Sequence, residues 1–228
     1  MKQLALAIGL SAGPTLRSFC AGPNQAALQH LALWVDEKST TANRSPVPAY
    51  LWGPPGSGKT HLLKAMREAL REQGAVVGWL DAGIAEPPLY QDQWAAVLLD
   101  DVHLYTAVQQ HAAFSWFVQA QTHQRWVLGA AEPPPADLPV RDDLRSRLGW
   151  GHVFALKLLG EPERRAVLRQ AADARGVFLG DDVMDFMLTR FSRDLGSLME
   201  LLELIDAYAM QAKRAVTIPM IRAMMEDS

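Results

Sequence analysis

One run of residues restricts what this chain can fold into more than any other: Gly53-Pro54-Pro55-Gly56-Ser57-Gly58-Lys59-Thr60. It matches the phosphate-loop pattern in full, with glycines ahead of a lysine and a hydroxyl residue. Such a loop works between a strand that delivers it and a helix that opens from it. Successive backbone N–H groups curl around phosphate oxygens, and the helix start points its positive end at them. The flanks comply: residues 49–52 form a short apolar run, and residues 59–73 carry an amphipathic helical pattern. In this setting Gly53, Gly56, Ser57 and Gly58 shape the cradle, Lys59 reaches the outer phosphates, and the Thr60 hydroxyl ligates Mg²⁺. The structural alternative is a Gly-Pro surface turn with an incidental lysine. The ligand expected is ADP or ATP with Mg²⁺.

A phosphate loop of this type needs an acid at the end of another strand. The run Ala95-Ala96-Val97-Leu98-Leu99-Asp100-Asp101 supplies one. Asp100 is expected to hold Mg²⁺ through water, and Asp101 to orient or deprotonate the attacking water. A capping role for Asp101 in the following turn is the competing structural reading.

Short apolar runs at 49–52, 75–80, 95–99, 125–130 and 152–156 alternate with helical stretches at 59–73, 107–123 and 141–147. A further helix is expected at 24–35, and residues 37–48 read as a loop. Strand and helix in alternation imply an α/β fold, a parallel sheet with helices on both faces. After Leu159 no further strand signal appears. Helical patterns at 161–175, 181–191, 194–213 and 218–226 follow, with Leu195, Leu198, Leu202 and Ile205 at helical spacing. They predict a small C-terminal helical domain. The expected division is a flexible segment at 1–14, a nucleotide-binding core at 15–159 and the helical domain at 160–228.

Composition bears on partners and compartment. A formal net charge of −3 leaves no global basic field for nucleic acid. The single cysteine, Cys20, excludes an internal disulfide or a CxxC site and fits a reducing compartment. The apolar start resembles a short signal peptide only superficially, with Gln3 at its head. No run approaches a membrane span, so a cytoplasmic location without membrane contact is expected.

The phosphate loop, the strand ending in Asp100-Asp101, and Leu144-Arg145-Ser146-Arg147-Leu148-Gly149-Trp150-Gly151 together resemble the AAA+ module of the DnaA family of bacterial replication initiators. The resemblance runs from about Thr15 to Thr217-Ile218-Pro219-Met220-Ile221-Arg222 and implies an AAA+ core with a helical lid. Within the family the chain is similar to the regulatory-inactivator branch. It stops after the lid, where a helix-turn-helix DNA-binding domain would follow in DnaA. It also has a short 80–93 segment where DnaA engages single-stranded DNA. Gln3-Leu4-Ala5-Leu6-Ala7-Ile8 resembles that branch's peptide for the DNA polymerase III sliding clamp (its β subunit). Gln3 would bond at a pocket rim, with Leu4, Leu6 and Ile8 as apolar anchors.

The resemblance further implies that Arg147 is an arginine finger acting in trans on a neighbour's γ-phosphate, a role that can be worth roughly 10³–10⁵ in rate. The alternative is an ion pair with Asp142 or Asp143; Arg145 is expected to remain a solvated charge. Partners implied are DnaA and the sliding clamp, with DNA reached only through the clamp and self-association left open. Two positions depart from the family. Ala131 stands where a polar sensor is expected, and Gly196 replaces a sensor arginine, with Arg193 about one turn earlier. Slow turnover of the protein's own ATP follows from these losses. Three functional readings remain: a clamp-tethered regulator that stimulates hydrolysis of DnaA-bound ATP, a self-contained AAA+ ATPase that loads or remodels replication complexes, or a nucleotide-binding scaffold with no catalytic consequence.

Overall fold

The computed structural model describes residues 13–35, 46–191, 195–212 and 215–226. Five strands, β1 (Ala49–Trp52), β2 (Val76–Leu80), β3 (Trp94–Leu99), β4 (Trp126–Ala131) and β5 (His152–Ala155), form a parallel sheet in the order β2-β3-β4-β1-β5. Their near-continuous apolar character follows from cover on both faces. Along β3 the side chains alternate: Val97 and Leu99 join one core, Ala96 and Leu98 the other.

One face receives α3 (Ala107–Thr122) and α4 (Asp142–Leu148), through Trp116, Phe117, Leu144 and Leu148. The other receives α1 (Gln25–Val35) and α2 (Lys59–Glu72), through Leu31, Trp34, Leu62, Leu63, Met66 and Leu70. The α2 residues recur every three to four positions, so one stripe meets the sheet. Trp34 of α1 stacks on Trp126 of β4 at 4.7 Å.

α3 begins with a capping box in which Thr106 N donates to Gln109 Oε1 at 2.8 Å and Gln109 N donates to the Thr106 hydroxyl. The Gln109 amide then donates to the carbonyls of Asp81, Ala82 and Ile84, which pins the chain leaving β2.

Beyond the sheet, α5 (Glu161–Ala174), α6 (Asp181–Arg190), α7 (Leu195–Ala212) and α8 (Ile218–Glu226) pack around their own core, which includes Leu168, Met184, Leu202, Ile205 and Ile221. Among the described residues no helix is long and apolar enough to cross a membrane. The parallel sheet and the helical lid agree with the sequence expectation, with end shifts of a residue or so. β4 starts at Trp126 rather than 125, because Arg125 closes the preceding turn by donating its N–H to Ala120 O.

Candidate functional site

β1 hands directly into the phosphate loop. Gly53, Gly56 and Gly58 hold φ of 151°, 77° and 95°. At Gly53 a Cβ would stand 2.2 Å from the Leu156 carbonyl oxygen, and at Gly58 it would stand 2.6 Å from the Phe19 ring. Glycine is therefore required at both positions by sterics as well as by φ. Gly53 N donates to Glu132 O at 3.1 Å, tying the loop to the end of β4. The hydroxyl of Ser57 is buried without a hydrogen-bond partner.

Lys59 opens α2 with its side chain buried, and its Nζ donates to Gly53 O at 2.8 Å and Pro54 O at 3.0 Å. Burial lowers the Lys59 pKa; the carboxylates of Asp101, Glu132 and Asp100 work against that shift. An ammonium facing these acids and buried backbone oxygens is a cation placed to meet a polyanion.

Asp100 ends β3 almost fully buried, and its backbone N–H donates to Leu80 O at 2.8 Å. Burial raises its carboxyl pKa, and a hydrogen bond from the Thr60 side chain opposes the rise. The structure thus places the hydroxyl and carboxylate expected at Mg²⁺ beside one another. Asp101 adopts a left-handed conformation with φ 49° and starts the 3-10 turn Val102–Leu104, but its side chain makes no cap bond. Aspartate is among the residues that tolerate this region. The capping alternative does not describe the turn, and the Asp101 carboxylate stays available beside Lys59.

Motif reading passed over some neighbours. Glu132 contributes charge to the Lys59 environment, and His103 Nε2 lies 4.0 Å from its carboxylate. Phe19 packs over Gly58 and, at 5.6 Å, beside His61, whose Nε2 lies 3.1 Å from Thr15 O. These contacts join loops distant in sequence and leave no periodic trace.

At the sensor positions, Ala131 is buried in β4 opposite Trp52, and Gly196 lies in the first turn of α7. Neither offers a polar side chain. Arg193 lies outside the described residues, as do Gln3, Leu4, Leu6 and Ile8.

Arg147 is exposed on α4. The nearby acids are taken by others: Arg141 grips Asp143 through two bonds of 2.6 and 2.7 Å, and Arg145 meets Asp142 at 2.6 Å. Arg145 is therefore paired rather than a bare solvated charge. Arg147 has no carboxylate partner among the described residues and lies 5.2 Å from the Phe114 ring centroid. Two residues past the helix, Trp150 is 66% exposed.

Known proteins share this architecture. The chain is 32% identical over 233 residues to a Haemophilus influenzae protein described only as uncharacterised, covering 97% of each. Its fold is similar to that of domain III of the Thermotoga maritima replication initiation protein DnaA, at 20% identity and a TM-score of 0.76, covering 93% of this chain and 95% of that one. AMPPCP-bound DnaA from Aquifex aeolicus matches at 21% identity and a TM-score of 0.69, over 89% of this chain and 68% of that one. The Thermotoga maritima RuvB branch migration motor matches at 17% identity and a TM-score of 0.63, with the same coverage. A family model for the lid domain of Hda matches residues 161–225, the helical bundle that follows the sheet. The chain therefore carries an Hda-type lid domain at residues 161–225, behind a core with the AAA+ fold of DnaA domain III.

Proposed function

We propose that this protein is a negative regulator of chromosomal replication initiation that binds ADP or ATP with Mg²⁺ and stimulates hydrolysis of DnaA-bound ATP. The observation that carries the reading is Arg147, exposed and, among the described residues, without a carboxylate partner while both acids beside it are occupied by Arg141 and Arg145. A guanidinium left in this state can serve a neighbour's phosphate. The Hda lid match and the AMPPCP-bound DnaA relative favour DnaA and a nucleotide as its partners.

The residues present fit a nucleotide. The orphaned Ser57 hydroxyl, the glycines that exclude a Cβ and the buried Lys59 form a cradle for phosphate oxygens. Bound Mg²⁺ would supply a compact positive charge, held by the Thr60 hydroxyl and, through water, by Asp100. Lys59 neutralises the outer phosphates, and Asp101 is the base or orienting group for water. With Ala131 and Gly196 at the sensor positions, the protein's own turnover is slow, and Arg147 acts on the partner's site instead.

Residues 1–14 act as the tether, with Gln3, Leu4, Leu6 and Ile8 engaging the polymerase III sliding clamp; residues 15–159 form the core and 160–228 the lid. DNA is reached through the clamp, and the setting is the cytoplasm. The competing reading is a self-contained loader or remodeller, favoured by the Thr60–Asp100 contact and the uncommitted Asp101 carboxylate.

Single-turnover loss of ATP from DnaA, with clamp loaded on DNA, separates the two. Arg147→Ala is expected to bind ADP normally yet lose most of a stimulation of roughly 10³-fold or more. Arg145→Ala, which removes a nearby charge, should retain it. Full stimulation by Arg147→Ala overturns the regulator reading. Loss of brisk turnover of the protein's own ATP, with DnaA unaffected, would favour the self-contained ATPase.

A further inference from the structure

The helical lid has a feature that the nucleotide site does not use. Phe186 and Arg190 lie one turn apart on α6, and Arg222 and Met225 lie three residues apart on α8. These four side chains line a cleft of about 470 Å³ between the helices. Charge sets this cleft apart from the rest of the lid surface. Arg165 pairs with Asp185, Arg169 with Asp181 at 2.6 Å, and Arg175 with Glu203 at 3.0 Å. Arg190 and Arg222 are both exposed, and neither has a carboxylate partner among the residues whose side chains are described, which do not include Asp194 or Glu226.

The cleft is also organised. The Arg222 guanidinium lies 5.5 Å from the Phe186 ring centroid, and Phe191 meets that ring edge-on at 5.8 Å. Met225 stands at the rim, 50% exposed. One arginine without an acid is an ordinary surface event. Two lining the same cleft beside Phe186 and Met225 combine cationic and apolar character in one place.

We propose that the α6–α8 cleft is a docking site for an acidic peptide segment of a partner protein. Carboxylates of the segment would sit on the guanidinium forks of Arg190 and Arg222, and an apolar side chain between them would rest on Phe186 and Met225. Arginine binds carboxylate bidentately, and methionine adapts its shape to an apolar anchor. A nucleic acid shares the anionic chemistry but matches the cleft less well. Arg222 covers the Phe186 face on which a base would stack, and the lid from Glu161 onward has more carboxylates than cations, which disfavours a phosphate backbone.

The test is a fluorescence-anisotropy titration of the full-length, ADP-loaded protein with a fluorescein-labelled peptide, Gly-Glu-Asp-Leu-Phe-Glu-Asp-Gly. Its counterpart with lysine at every acidic position and a labelled oligothymidylate serve as comparisons. Wild type is expected to bind the acidic peptide only, more weakly as salt rises. Arg190→Glu and Arg222→Glu should each weaken it about ten- to hundredfold, with the affinity for a fluorescent ADP unchanged. Arg190→Gln, a milder change on an exposed side chain, keeps the test valid should a charge reversal unfold the lid, which a thermal melt would reveal. No binding by wild type, or equal binding by the variants, overturns the proposal. So does oligothymidylate binding that the same variants abolish, since the cleft would then serve nucleic acid.

Discussion

Replacing Gly53 by alanine should destabilise the protein far more than replacing Gly74, although both glycines hold positive φ, 151° and 77°. At Gly74 a new Cβ meets nothing within 4 Å among the described residues, so the substitution carries chiefly its backbone strain, about 1–2 kcal/mol. At Gly53 the Cβ would lie 2.2 Å from Leu156 O and 3.2 Å from the Ser57 hydroxyl. That carbonyl cannot readily retreat, because Leu156 N donates to Trp52 O at 2.7 Å and extends the β1–β5 pairing. Adding overpacking of about 1–3 kcal/mol to strain of similar size gives a loss of roughly 2–6 kcal/mol. Urea unfolding followed by tryptophan fluorescence reads the difference as a lowered midpoint at unchanged slope. Affinity for fluorescent ADP should fall in parallel, since Gly53 O is an anchor for Lys59 Nζ. A Gly53→Ala loss no larger than that of Gly74→Ala would refute the claim that the loop is held against the β5 exit.

Lys59→Ala should weaken nucleotide binding about ten- to hundredfold by removing the buried cation at the outer phosphates, and equal titration curves would mean that the phosphate site is misplaced. Changing Gln3, Leu4 and Leu6 together to alanine should abolish retention on immobilised clamp while leaving ADP affinity intact; full retention would sink the tether. Acid should destabilise the fold through two histidines. Burial, and then the neighbouring His152 with its ring 4.4 Å away, lowers the His30 pKa below 6.5, and burial lowers that of His61 despite its bond to Thr15 O. The unfolded chain then binds protons that the folded one refuses, so stability present above about pH 6.5 is lost as pH falls toward the folded-state values. Thermal midpoints should drop between about pH 7.5 and pH 5, and His30→Phe should flatten the drop; a rise on acidification would contradict the assignment.

The ends of β1 and α8 were legible, because Pro48 and Gly53 bound the apolar run of β1 and Pro219 fixes the first turn of α8. The lid was legible through Leu198, Leu202 and Ile205, all of which are buried. Lys59, Thr60 and Asp100 could be named from motif spacing, since the loop geometry demands those residue types in that order. Glu132, which acts on Lys59, and His103, which lies beside Glu132, could not, because these approaches depend on β3 and β4 being neighbours in the sheet. Phe19 over Gly58 is hidden for the same reason: nothing in the residues before α1 announces that they cross the start of α2. The pairing of Arg145 with Asp142, where the sequence leaves Arg145 solvated, was hidden because Asp142 and Asp143 each have several arginines within reach and only side-chain direction decides among them.

The sheet order also bears on the protein's synthesis. β1 carries the phosphate loop, yet its two partners in the sheet, β4 and β5, come much later in the chain. A nascent chain therefore presents the loop long before it can be held, and closing those distant pairings is slow. Nucleotide cannot assist in the interval, because a ligand stabilises only the form that binds it. A ribosome stalled before Ala155 would leave β1 with an open edge and apolar faces uncovered, the kind of surface that recruits chaperones or aggregates. The lid, emerging last and built from helices close in sequence, adds its own core only after that exposure has ended.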